Sequence, residues 1–177
     1  MRNKKLVKID IDLLTQCLIR KKDDKIVKTE IKEIIVQDYN LKDWEFNWIE
    51  ESKKGNKILG LFAENDRRLQ GIIEYYENKE RKLLEVILVE IAPFNNYHNP
   101  KNYLKSKEYL GVGGHLFAEV ARISFEKGYD GYVSFLAKTN LIEHYKKTLE
   151  AKQLSYIEMY IDDEAARKLV KKYYSKD

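Results

Sequence analysis

Three glycines in four residues, Gly111-Val112-Gly113-Gly114, are the part of this 177-residue chain whose types and spacing best suit a chemical task. They stand directly before Leu116, Phe117, Val120, Ala121 and Ser124, which recur at helical spacing. The first turn of a helix leaves backbone N–H groups unpaired and carries partial positive charge, so it can seat a phosphate, and glycines let the phosphate approach. The plainer reading is a tight turn and nothing more. Two common phosphate loops are absent. No Gly-x4-Gly-Lys-Ser/Thr run occurs, and a dinucleotide fingerprint needs a third glycine at position 116, where Leu116 stands. His98, His115 and His144 lack cysteine partners and i, i+4 spacing, so no metal site is expected; His115 is expected to assist at the phosphates or cap the turn. Cys17 reads as a small apolar residue rather than a nucleophile.

The stretch Glu108-Tyr109-Leu110-Gly111-Val112-Gly113-Gly114-His115-Leu116 resembles the coenzyme motif of the GNAT superfamily, Arg/Gln-x-x-Gly-x-Gly/Ala, which opens a helix after the fourth strand. The glycines match, and Glu108 stands where the family has a base or an amide. A second stretch, Asn140-Leu141-Ile142-Glu143-His144-Tyr145-Lys146-Lys147-Thr148-Leu149, is similar to the family's Asn-x-x-Ala-x-x-Phe-Tyr helix, with a shorter spacing from Asn140 to the tyrosine. The octet Gly-Val-Gly-Gly-His-Leu-Phe-Ala with a later His-Tyr pair is similar to GNAT-like proteins often carried by mobile elements of Gram-positive bacteria. The resemblance in element order runs from Lys57 to about Tyr160.

That resemblance implies acetyl-CoA as cosubstrate and direct transfer of its acetyl group to a primary amine. It implies that Tyr109, Leu110, Gly111, Val112, Gly113, Gly114 and His115 hold the pyrophosphate, with Asn140 nearby. Tyr145 falls on the tyrosine that protonates the departing thiolate; as a lone tyrosine on an amphipathic helix it would otherwise be core. A backbone N–H between Val89 and Ile91 would hold the oxyanion. A lysine-like amine, with a pKa of about 10.4, must lose a proton before it attacks, so a base is needed. Glu85 resembles the glutamate serving that role in the protein-acetylating branch, and Glu90 lies nearer the splay of the strands; Glu74 is a third candidate. Positions 85 and 90 differ in parity, so a regular strand aims them at opposite faces and only a bulge lets both reach one site.

The elements that must position these groups follow from periodicity. Ile9 to Ile19 reads as a short helix carrying Leu13, Leu14, Cys17 and Leu18, and Ile26 to Ile31 as strand; Trp44, Phe46 and Trp48 fit either. Strands are expected at Lys57–Ala63, 69–76 and 83–91, with turns at Glu64-Asn65-Asp66 and Glu77-Asn78-Lys79. The apolar run 83–91 reads as a central strand covered on both faces. A long loop, 92–109, delivers the chain to the glycines, and such loops tend to be functional. The glycine helix ends at Lys127-Gly128. A strand at 131–137, a helix opened by an Asn140/Glu143 capping box, a strand at 154–160 and a helix at 164–174 complete the chain. The expected class is α/β, a GNAT fold whose mixed central sheet has antiparallel N-terminal strands and flanking helices.

Length suits one domain spanning 1–177. Thirty-three basic and twenty-nine acidic residues give a net charge of +4, interspersed rather than gathered into a basic arm, so nucleic acid is the minority reading. A single cysteine and the absence of a signal-peptide core read as cytoplasmic, and no apolar run approaches the about 20 residues that cross a bilayer. The expected partner is an amine acceptor of unspecified identity, small molecule or protein; a homodimer stays open. The competing reading is a GNAT-like module that keeps the fold and serves as a binding domain, for which Glu108 is the best argument.

Overall fold

Short β-branched and aromatic runs separated by polar turns, followed by one long apolar helix, dictate a sheet with helices on its faces. The computed structural model describes residues 5–12, 14 and 17–174. In chain order its elements are β1 (Leu18–Arg20), β2 (Lys25–Val27), β3 (Thr29–Glu33), α1 (Trp48–Ser52), β4 (Lys57–Ala63), β5 (Leu69–Asn78), β6 (Leu83–Ile91), β7 (Tyr109–Leu110), α2 (Val112–Glu126), β8 (Val133–Leu136), α3 (Ile142–Thr148), β9 (Lys152–Gln153), β10 (Glu158–Ile161) and α4 (Asp163–Tyr174).

The central sheet has the order β3-β4-β5-β6-β8-β10-β9, and a small second sheet has the order β2-β1-β7. Every central pair is antiparallel except β6 with β8. This is the mixed sheet with antiparallel N-terminal strands and flanking helices that the sequence implies. All nine residues of β6 are buried, as a strand covered on both faces requires. One face packs against α2 and α4 in a cluster that includes Leu84, Val86, Val89, Leu116, Phe117 and Phe135; the other holds Val36, Trp48, Phe62, Ile72 and Leu88.

Five local expectations change, the first being the single strand over Ile26 to Ile31, which breaks at Lys28 into β2 and β3 of different sheets. Residues from Ile9 are not helical: 5–12 run without helix and Leu18–Arg20 form β1, while Leu13 lies outside the described residues. Alternation explains this, because Val7, Ile9 and Ile11 are buried on one side while Lys8, Asp10 and Asp12 face the other. Asn140 is not an N-cap: it sits in a 3-10 turn over Thr139–Leu141, and α3 starts after Leu141 without a side-chain cap. β5 continues through Glu77 and Asn78, so its turn comes later, with Lys82 at φ 54°. The last strand begins at Glu158, preceded by the short β9.

Candidate functional site

β6 and β8 are the parallel pair, and they meet at only two register positions, Leu84 with Val133 and Glu85 with Ser134. Beyond these they diverge, which leaves Ile87 O of β6 and Leu136 O of β8 without a partner in each other. A bulge adds to this. Glu74 of β5 faces Leu88 while the next residue, Tyr75, faces Val86, so Ile87 is an extra residue in β6. The slip puts Glu90 on the face of Leu88 and Trp48, the face that Glu85 also takes by alternation from Leu84 and Val86.

At the back of the opening stands the glycine turn. Gly111 is the N-cap of α2 at φ 94°, a left-handed geometry that favours glycine, and Val112, Gly113 and Gly114 form the first helical turn. β7, just before it, is fixed by pairing with β1 and by Asn95, whose buried Oδ1 accepts from Glu108 N (3.1 Å) and Tyr109 N (2.9 Å). The loop between β6 and β7 is stitched by its asparagines: Asn95 Nδ2 donates to Gln70 Oε1, and Asn102 Nδ2 to Asn96 O and Ser106 O. Glu108 turns its carboxylate onto Arg68, Nη2–Oε2 2.6 Å, and Arg68 lies over the Phe94 ring. The acid at the motif position thus shares one guanidinium with Asp66, which lies 2.8 Å from Arg68 Nη2, so the pairing turns the carboxylate aside without cancelling both charges.

Residues 5–12 fill the opening. Lys5 N donates to Ile87 O (3.2 Å) and Val7 N to Leu136 O (2.6 Å), and Val7 O accepts from Lys138 N (2.9 Å). Val7 bridges Ala137 in parallel. Further along, Tyr145 Oη donates to Ile9 O (2.6 Å) and Ile11 N donates to His144 Nε2 (2.8 Å). The segment ends on the glycine turn, where Gly111 N donates to Asp12 Oδ1 (2.9 Å) and Lys107 Nζ lies 3.1 Å from Asp12 Oδ2. A methyl group added at Gly113 would stand 2.9 Å from Ile9 Cδ1 and 3.3 Å from Asp10 O. With residues 5–12 in place, the space against the turn is taken.

The remaining mouth of the cleft has a volume of 410 Å³ and is lined by Glu45, Glu90, Ile91, His98, Lys138 and Asn140 among others. The structure therefore brings Tyr145, Glu90, Val89, Ile91, Asn140 and the glycine turn around one opening. It does not bring Glu85, whose carboxylate near the closed end of the β6/β8 pair accepts from Asn78 Nδ2 and Arg81 Nη1. Glu74 lies outside the cleft lining, bonded to Asn56.

Neither Tyr145 nor Glu90 is idle. The Tyr145 hydroxyl is fully buried, and burial, with the charge of Asp10, holds its proton far more tightly than an ordinary phenol's. Glu90 accepts from Glu45 N (2.7 Å), Phe46 N (3.1 Å) and Trp48 Nε1 (3.0 Å). Burial raises its pKa, and those three donors oppose the rise. His115 faces inward against Tyr173 and Tyr174, and burial brings its pKa down to about 4, so it is neutral and brings no positive charge to the turn. Residues 7–12, Lys107 and the bond from His144 to Ile11 are not foreseen in the sequence, and only residues 7–12 carry a signal there. Their one visible signal is the alternation Val7-Lys8-Ile9-Asp10-Ile11-Asp12.

No family model matches this chain, and no curated protein matches it in sequence. Among solved structures, a bacterial toxin superposes with a TM-score of 0.53 at 13% identity, over 86% of this chain and 99% of that one, a likeness of fold alone. A Bacillus subtilis acetyltransferase in complex with CoA gives 0.46 at 13% identity, over 77% of this chain and 98% of that one. A spermidine N-acetyltransferase chimera from Vibrio cholerae and hSSAT gives 0.46 at 13% identity, over 78% and 98%. Similarity at that level carries no argument about chemistry.

Proposed function

We propose that this chain is a single-domain, acetyl-CoA-dependent N-acetyltransferase of the GNAT type, acting on a primary amine. The observation that carries the reading is the opening between β6 and β8, which spreads from a two-residue parallel contact toward the glycine-built N-terminus of α2. Diverging strands expose backbone groups that an extended, amide-bearing arm can bond, and the helix end behind them suits a phosphate. Lys21 and Lys22 line a cleft of 580 Å³ beside Tyr109 together with Glu108 and with Arg20, Arg68 and Lys107, which are paired with Asp23, with Asp66 and Glu108, and with Asp12; Lys107 becomes available next to that helix end when Asp12 leaves. At the mouth, the Glu45 carboxylate, paired with Lys8 while residues 5–12 are in place, would face a cationic acceptor once that segment has left.

Because residues 5–12 occupy the opening, the coenzyme and the segment exclude one another, and Tyr145 and Glu90 meanwhile serve the fold through Ile9 and the 45–48 loop. That same occupancy is the specific observation favouring a non-catalytic binding module. The deciding experiment adds acetyl-CoA with a panel of polyamines, aminoglycosides and lysine peptides to the full chain and follows thiol release and acetylated product. Turnover that drops at least about tenfold in Tyr145→Phe, with binding retained, is the expected result. No binding of acetyl-CoA and no acetylated amine at high coenzyme concentration, in the full chain and equally in its Asp12→Ala variant, sinks the enzyme reading in favour of the module.

A further inference from the structure

The way residues 5–12 sit in the cleft copies a coenzyme in three respects. Their backbone bridges the gap with few bonds, from Lys5 and Val7 to the carbonyls of Ile87 and Leu136 and from Lys138 to Val7 O, where the amides of a pantetheine arm could bond instead. Their apolar side chains, Val7, Ile9 and Ile11, are the ones buried, as the arm's methylenes would be. Their terminal anion, the Asp12 carboxylate, rests on the N–H of Gly111 and on Lys107, whose side chain is only 8% exposed. A pyrophosphate presents the same negative charge to the same donors. Polar contacts along the outer edge hold the segment from both walls: His98 Nε2 lies 2.8 Å from Asp10 Oδ2, Lys8 pairs with Glu45, and Lys5 lies 3.1 Å from Glu51.

We infer that residues 5–12 are an intramolecular stand-in for acyl-CoA, a strap that closes the coenzyme cleft and must withdraw before the coenzyme enters. The inference rests on the acyl-CoA reading above and adds its regulation. A ligand that binds only the open form has its apparent affinity reduced by the fraction of molecules that are open. Losing Asp12 frees Gly111 N–H and Lys107 for a phosphate and weakens the strap at the same stroke.

The test uses the full chain. Hydrogen exchange with and without saturating acetyl-CoA follows the amides of Val7 and Ile11, and calorimetry compares the wild type with Asp12→Ala. Acetyl-CoA is expected to speed exchange at both amides, and Asp12→Ala to bind it about tenfold more tightly. Coenzyme bound to the wild type with Val7 and Ile11 still protected overturns the strap and leaves the acyl-CoA reading standing. An affinity that is unchanged or weaker in a folded Asp12→Ala does the same. Should that variant fail to fold, exchange in the wild type decides alone. Absence of binding in both proteins overturns the strap together with the reading it rests on.

Discussion

At Glu90 a single carboxylate satisfies two backbone amides and an indole, all on the segment that leads into α1. Removing it strands those donors in a dry site, and each stranded donor costs about 1–3 kcal/mol. Glu90→Ala is therefore expected to lose about 3 kcal/mol in urea unfolding, with Glu90→Gln losing less because one oxygen remains. Glu74 carries a different prediction. It is fully buried, and burial pushes its carboxyl up to about 7, with Asn56 opposing the rise and the neighbouring Glu51 adding to it. From the ordinary value of 4.5 up to about 7 the folded protein keeps a proton that the unfolded chain has released, so stability falls as pH rises through that window. Glu51, held below its ordinary value by Lys54 and Lys5 against the cost of burial, works in the opposite sense and at lower pH. Glu74→Gln should gain on the order of 2 kcal/mol over the wild type at pH 8 and little at pH 5, read from urea midpoints at the two pH values.

Between elements, the close approach of α2 to the sheet depends on one missing side chain. A Cβ at Gly71 of β5 would lie 2.8 Å from Val112 Cγ1, 2.9 Å from Leu116 Cδ1 and 3.3 Å from Glu90 O. Gly71→Ala must push the start of α2 away from β5, and overpacking of this kind costs about 1–3 kcal/mol. A lowered melting temperature is expected, and an unchanged one would mean that the helix yields freely. The same scale shows what was legible. β4, β6 and α2 follow from runs long enough to display a period or a continuous apolar stretch. Residues 5–12 were not legible as a segment bridging two strands, because Val7, Ile9 and Ile11 run straight into Leu13, Leu14, Cys17 and Leu18, and the combined apolar pattern suits a helix as well. Their pairing partners, Ile87 and Leu136, lie far along the chain.

Over the whole molecule, the two apolar clusters on the two faces of one sheet share β4, β5 and β6. Trp48 and Trp44 belong to the smaller cluster, and α2 and α4 pack on the larger. If the chain is one domain, tryptophan fluorescence and far-ultraviolet circular dichroism must report a single coincident unfolding transition. A fluorescence transition that precedes the loss of helix would show that the two faces unfold separately.

The sequence by itself determined the elements whose cause is local: the antiparallel strands β4 to β6, the glycine turn with its helix, and the glycine C-cap that ends it. It also marked Tyr145 and Glu90 as residues to watch. Only the tertiary structure decided that a bulge at Ile87 sets the face of Glu90, that Glu108 shares Arg68 with Asp66, and that residues 5–12 lie between β6 and β8. Those outcomes turn on pairings between distant positions, where the gain comes from burying a specific partner and no short-range pattern records which partner that is.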